Sequence, residues 1–198
     1  MNNLNRYKKS LIGKIGGFSA LILLVMVCLL GCKEDVLPKP KAELRLEYSK
    51  PVVAGVETEK FTFQYNDLAQ LKRDKNNSLI LRYPEMKGEI FINYKEVGGN
   101  LEKLLSDAQK FSYEHSVKAD GILEQPFINE DAKVYGMFYE VSGDAASQAQ
   151  FYVTDSTRHF VTGSLYFYTK PNYDSIYPAA VYLRKDIRAI METLKWKE

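Results

Sequence analysis

Cysteine is almost absent from this chain. Its 198 residues include two, Cys28 and Cys32, both near the amino terminus. The rest of the chain can close no internal disulfide and offers no thiolate to a metal. Histidine is nearly as scarce, with only His115 and His159. A zinc site usually takes three or four protein ligands. These two histidines are far apart and form no H-x-x-x-H pair, so neither metal nor cofactor is expected. A surplus of basic charge is missing as well. The chain has 27 Lys and Arg against 25 Asp and Glu, and residues 1–31 hold four of the basic residues and no acidic one. Residues 32–198 therefore carry 23 against 25. Nucleic-acid binding requires a concentrated basic face, so no nucleic-acid partner is expected. The chain also lacks a run long enough to cross a bilayer as a helix, which takes about 20 apolar residues. Its main apolar run, Phe18 to Leu30, has 13 residues and is interrupted only by Ser19.

That short run has a specific setting. Arg6, Lys8, Lys9 and Lys14 precede it, and Leu29-Leu30-Gly31-Cys32 closes it. A basic flank, a short apolar core and a small residue before the cleavage point are the layout of an export signal. An apolar residue, a variable one, a small one and then Cys make the lipobox pattern. Residues 1–31 are read as a lipoprotein signal peptide, cleaved between Gly31 and Cys32. The Cys32 thiol is the lipidation site. One acyl chain anchors a protein only marginally, whereas two or more anchor it stably. A multiply acylated Cys32 therefore holds the chain at a membrane without a transmembrane helix. Residues 32–41 follow as a tether, in which Pro38 and Pro40 favour stiff, extended backbone. Residues 42–198 suffice for one domain.

Within that domain the hydrophobic period alternates between two values. Period-2 alternation with aromatic residues predicts strands over 42–48, 61–65, 78–83 and 89–94, with a polar loop from 65 to 78. After the breaker Gly98-Gly99-Asn100, Leu101, Leu104, Leu105, Ala108 and Phe111 recur at helical spacing. They predict an amphipathic helix over 100–114. Extended chain returns at 118–123. Strands over 133–141, 148–154 and 158–168 then read as an antiparallel meander. A final helix over 178–195 opens on Pro178, a residue tolerated in a first turn. Its stripe is Leu183, Ile187, Ile190, Met191 and Leu194. Strands, helix, strands, helix predict an α+β domain, a mostly antiparallel β-sheet covered by two amphipathic helices.

Motifs that carry chemistry are weak. Gly98-Gly99-Asn100 opens a helix, but no Lys-Ser/Thr follows as in a phosphate loop. Asp155, Ser156 and His159 are the residue types of a hydrolase triad. All three fall in one hairpin turn, whereas a working triad converges from separate elements. Asp and Ser are ordinary turn residues, and no G-x-S-x-G elbow is present. No enzymatic activity is expected. The fourteen tyrosines are more informative. Tyr166, Tyr168, Tyr173, Tyr177 and Tyr182 crowd one stretch, and tyrosine suits both a core and an interface. Asp155, His159, Tyr166 and Tyr168 are the candidate interaction residues.

Several longer runs carry a resemblance. They are Lys87-Gly88-Glu89-Ile90-Phe91-Ile92-Asn93-Tyr94, Asn100-Leu101-Glu102-Lys103-Leu104 and Tyr113-Glu114-His115-Ser116-Val117-Lys118-Ala119-Asp120. Val134-Tyr135-Gly136, Gln150 through Phe160 and Met191 through Trp196 extend them. Together they resemble the gliding-motility lipoprotein GldD family of Bacteroidota, over nearly all of the chain after Cys32. Relatives often carry two cysteines where this chain has Glu59 and Asn77-Ser78, and the resemblance implies that a disulfide has been lost here. It further implies a lipid-anchored outer-membrane component of the gliding and type IX secretion machinery. In that reading the protein is a non-catalytic assembly or interaction module whose partners are other lipoproteins or envelope proteins. Lys33-Glu34-Asp35 is similar to a surface-export signal of that phylum. The element order is similar to that of the Mog1/PsbP-like α/β/α sandwich. A small-ligand-binding envelope lipoprotein is the alternative.

Overall fold

A computed structural model describes residues 46–74, 78–114, 117–169 and 172–197. The signal segment, Gly31, Cys32, the tether and His115 lie outside the described residues.

Ten strands and two helices form the described fold. The strands are β1 (Val53–Glu57), β2 (Phe61–Asn66), β3 (Gln70–Arg73), β4 (Leu79–Tyr83), β5 (Gly88–Glu96), β6 (Ala119–Asn129), β7 (Val134–Gly143), β8 (Ser147–Thr154), β9 (His159–Phe167) and β10 (Lys195–Trp196). Helix α1 is Leu101–Glu114 and helix α2 is Tyr173–Thr193. Seven strands pair in the order β3-β4-β5-β9-β8-β7-β6, and a smaller sheet pairs as β1-β2-β10. Every pairing is antiparallel. The α+β class is thus as expected, and β7-β8-β9 form the expected meander.

The connections place the helices. β5 and β6 are four places apart in the large sheet, so the segment holding α1 must cross the faces of β9, β8 and β7. α2 follows β9 and leads to β10 of the small sheet. Strand alternation assigns the faces. On β5, Ile90 and Ile92 are buried against the main core, while Glu89, Phe91 and Asn93 point the other way. On β8, Ala149, Phe151 and Val153 join the core, and on β9 Val161 and Leu165 do.

α2 supplies the other half of that core. Leu183, Ile187 and Ile190 are fully buried, each contributing about 1.5–3 kcal/mol of hydrophobic stabilisation. Phe61 and Phe63 of β2 pack into the same cluster. Arg184 sits inside this layer, and its guanidinium donates to the carbonyls of Val141 and Gln148, to the Tyr173 hydroxyl and to Glu140 at 3.0 Å. Asp186 is buried too and accepts from Asn66 Nδ2 at 2.9 Å. Burial raises its pKa against the lowering effect of that hydrogen bond. The Tyr83 hydroxyl lies near the same carboxyl without a well-formed hydrogen bond.

Five expectations need correction. Of the strand expected over 42–48, residues 42–45 lie outside the described residues and 46–48 join no sheet, with β1 beginning only at Val53; Leu46 is exposed, while Tyr48 packs edge-on against Tyr182 without a strand partner. The polar stretch after Tyr65 contains β3, an edge strand whose residues need no buried face. β6 runs on to Asn129, well past 123, and carries Pro126, which an edge strand tolerates because one side makes no ladder bonds. α2 starts five residues before Pro178. Its Asn172 cap accepts from the Ser175 N–H, satisfying one of the free first-turn donors, and Pro178 sits inside the helix. At the other end α2 stops at Thr193, because Lys195-Trp196 pairs with β2 as β10.

Candidate functional site

Two features outside the main core carry polar groups of interest. The first is the turn between β8 and β9. There the Asp155 carboxylate accepts from the backbone N–H groups of Thr157, Arg158 and His159 at 2.8–3.0 Å, and from the Thr157 hydroxyl at 3.0 Å. Burial pushes its pKa upward, but the N–H groups of His159, Arg158 and Thr157 outweigh that and hold it at about 2. Ser156 takes a left-handed φ of 66°, a conformation the anchored loop imposes. Asp155 is therefore the keystone of a hairpin turn.

His159 opens β9 and is buried. Its Nδ1 pairs with the Tyr94 hydroxyl at 2.9 Å, and its ring stacks on Trp196 with centroids 5.2 Å apart. Nε2 has no hydrogen-bond partner. Burial lowers the His159 pKa despite the nearby Asp155 charge. The triad-like residues thus share a turn without the hydrogen bond that a triad imidazole donates to its carboxylate.

The second feature is a cavity of about 760 Å³ between α1 and the sheet. α1 buries only Leu104 and Ser112. Near its end the Ser112 hydroxyl lies 3.1 Å from Gln150 Oε1, and the Tyr113 hydroxyl donates to Glu124 of β6. Between Leu104 and Ser112 the helix stands off the strands. Phe91, Tyr152, Phe160 and Tyr166 line the sheet side, and Leu104, Ala108 and Phe111 line the helix side. Tyr152 stacks on Phe160 at 5.8 Å, and Phe91 meets Tyr166 edge-on at 5.7 Å.

The interaction residues expected from the sequence do not form one site. Tyr166 and Tyr168 line the cavity. Asp155 and His159 lie at the other end of β9, about 23 Å away from Tyr166 at the usual rise per strand residue. The tyrosines that crowd the sequence also divide. Tyr173 and Tyr177 pair on α2, and Tyr182 donates to the Ser49 carbonyl at 2.7 Å. Gln150 was missed, and its only sequence signal is a polar residue between Ala149 and Phe151 in a buried strand.

Comparison with known proteins decides the family. The model described as gliding motility lipoprotein GldD matches residues 33–196. The chain belongs to the gliding motility lipoprotein GldD family. No curated protein matches it. The GldD match covers both sheets, both helices, the β8–β9 turn and the cavity, and it begins one residue after Cys32. Membership places the chain among envelope lipoproteins held at a membrane and tied to gliding motility. Among the described residues no helix is long and apolar enough to cross a membrane.

Proposed function

We propose that this protein is a non-catalytic assembly or interaction module of the gliding and type IX secretion machinery, anchored to the outer membrane through lipid on Cys32. The observation that carries the reading is the family match over residues 33–196, set directly behind a lipobox cysteine. Residues 1–31 act as the signal peptide, 32–41 as the tether and 42–198 as the single working domain. Two details support a role without catalysis. The Asp155 carboxylate is occupied by backbone N–H groups, and His159 Nδ1 is occupied by Tyr94. Apolar side chains presented to solvent support an interaction role. Leu123 and Ile128, 57% and 68% exposed, stand on the edge strand β6, where an incoming chain could pair with the free ladder groups.

The test is a clean deletion in the native host, complemented with wild type or Cys32→Ala. Secretion of a type IX cargo and colony spreading are measured together. The proposal expects both to fail in the deletion and only the acylable form to restore them. Normal secretion and spreading in the deletion would contradict it.

A further inference from the structure

The cavity beneath α1 lies across the sheet from the main core. We propose that it binds the acyl chain of an uncharged lipid whose head carries an ester or amide. Four observations lead there.

The first is size. About 760 Å³ falls within the ~300–1,000 Å³ typical of small-molecule sites, and the walls are chiefly aromatic and aliphatic. The second is the shape of those walls. Tyr152 and Phe160 lie nearly parallel, 7° apart with centroids 5.8 Å apart, too close for a third ring to enter between them, while Phe91 meets Tyr166 at 77°. These pairs leave no slot between two parallel rings for a flat ligand. A flexible chain follows such crossed rings and the aliphatic side of α1.

The third is a polar group waiting for a partner. Gln150 lines the cavity and is 2% exposed. Its Oε1 faces the Ser112 hydroxyl, and its Nε2 has no hydrogen-bond partner. A buried amide N–H without an acceptor is costly, and a ligand carbonyl placed there would satisfy it. The fourth is charge. The charged lining residues are Glu89, Asp107 and Lys95, and Glu89 is paired with Arg82 at 2.5 Å. With Arg82 counted, two cations face two anions, so the rim has no surplus to attract a carboxylate or phosphate head. These arguments concern only this cavity and do not depend on the machinery reading.

The test uses the full chain, exported and lipid-bearing, in membrane vesicles from an expressing host. A 1-monoacylglycerol with a photoactivatable diazirine in its tail is added and irradiated. Labelled peptides are mapped by mass spectrometry. The proposal expects label concentrated in β5, α1, β8 and β9. Unlabelled 1-monoolein should displace it at a concentration at least about tenfold lower than oleate does. Ala108→Trp, which fills the cavity from the helix side, should cut cavity labelling at least about fivefold at unchanged protein abundance. Ala108→Leu provides a milder filling should the tryptophan variant not accumulate. Gln150→Leu should weaken displacement by monoolein about tenfold, the size expected for one lost hydrogen bond. Label spread evenly over the surface, or cavity label indifferent to filling at Ala108, would overturn the site. Equal displacement by oleate would overturn the uncharged head.

Discussion

Against one face of the seven-stranded sheet, α2 buries Leu183, Ile187 and Ile190 completely and threads Arg184 and Asp186 into hydrogen bonds. Against the other face, α1 buries Leu104 and Ser112, leaves Phe111 41% exposed, and encloses a cavity. Both helices have an apolar stripe of similar spacing, and both cross the same sheet. The difference shows that an amphipathic stripe predicts which side of a helix turns inward, but not whether the sheet beneath comes up to meet it. On the α2 side the sheet offers Ile90, Ile92, Phe151 and Leu165. On the α1 side it offers Gln150, Thr162 and Ser164 among the aromatics, and polar side chains do not close an apolar gap.

The sharpest way to break this contrast is a matched pair of truncations. Leu183→Ala removes fully packed methyl groups and should cost about 3 kcal/mol. Leu104→Ala borders the cavity beneath α1, so little new cavity forms and the cost should stay at the low end, about 2 kcal/mol. Urea unfolding of both variants checks this, and equal losses would mean that the two faces are equally packed. Next in size is Arg184→Met, which keeps the stem but strips the donors from the carbonyls of Val141 and Gln148. It should cost about 2 kcal/mol, read from the same unfolding curves.

The carboxylate in the β8–β9 turn and the one buried under α2 should respond oppositely to pH. Asp155, held at about 2 against an ordinary 3.8, stabilises the fold above the ordinary value. That contribution is lost as pH falls through about 2. The group is largely solvated, so the contribution is about 1 kcal/mol or less. Asp186 is shifted upward by burial. Its ionised form is penalised in the fold, and the penalty is relieved as pH falls through its raised value. Asp155→Asn should therefore flatten stability at the acid end, and Asp186→Asn should flatten it above the ordinary carboxylate range. Thermal melts across pH 2 to 7 (~5 units, spanning the ordinary carboxylate range) separate the two. The smallest expected effect is at Gln150. Gln150→Leu removes an unpartnered amide nitrogen and should change stability by less than about 1 kcal/mol in either direction. A large loss would mean that this amide holds α1 in place.

The same contrast explains what could be read from the sequence. The stripe Leu183, Ile187, Ile190, Met191 and Leu194 is legible because every member is buried. The meander β7-β8-β9 is legible because alternation and turn residues agree there. β3 was hidden because Gln70, Lys72 and Arg73 lie on a solvated edge, where no buried face imposes a period. β10 was hidden because two residues carry no period at all. α2 was drawn too short because Pro178 looks like a start, whereas Asn172 is the residue that caps it. For the site, Tyr166 and Tyr168 were legible as aromatic excess. The cavity was not, since it depends on the gap between a helix and strands far apart in sequence. Asp155 and His159 were noticed for their chemistry, but their partners, backbone amides and Tyr94, lie beyond what residue type reveals.

Amide hydrogen exchange on the lipid-bearing chain tests the contrast most directly. The account predicts that the core amides of α2 exchange only through global unfolding, while those of α1 exchange through local opening, at least about a hundredfold faster. Added 1-monoolein should slow α1 selectively. If α1 is protected as strongly as α2 without any ligand, the helix is sealed onto the sheet, and the picture of one packed face and one hollow face is wrong.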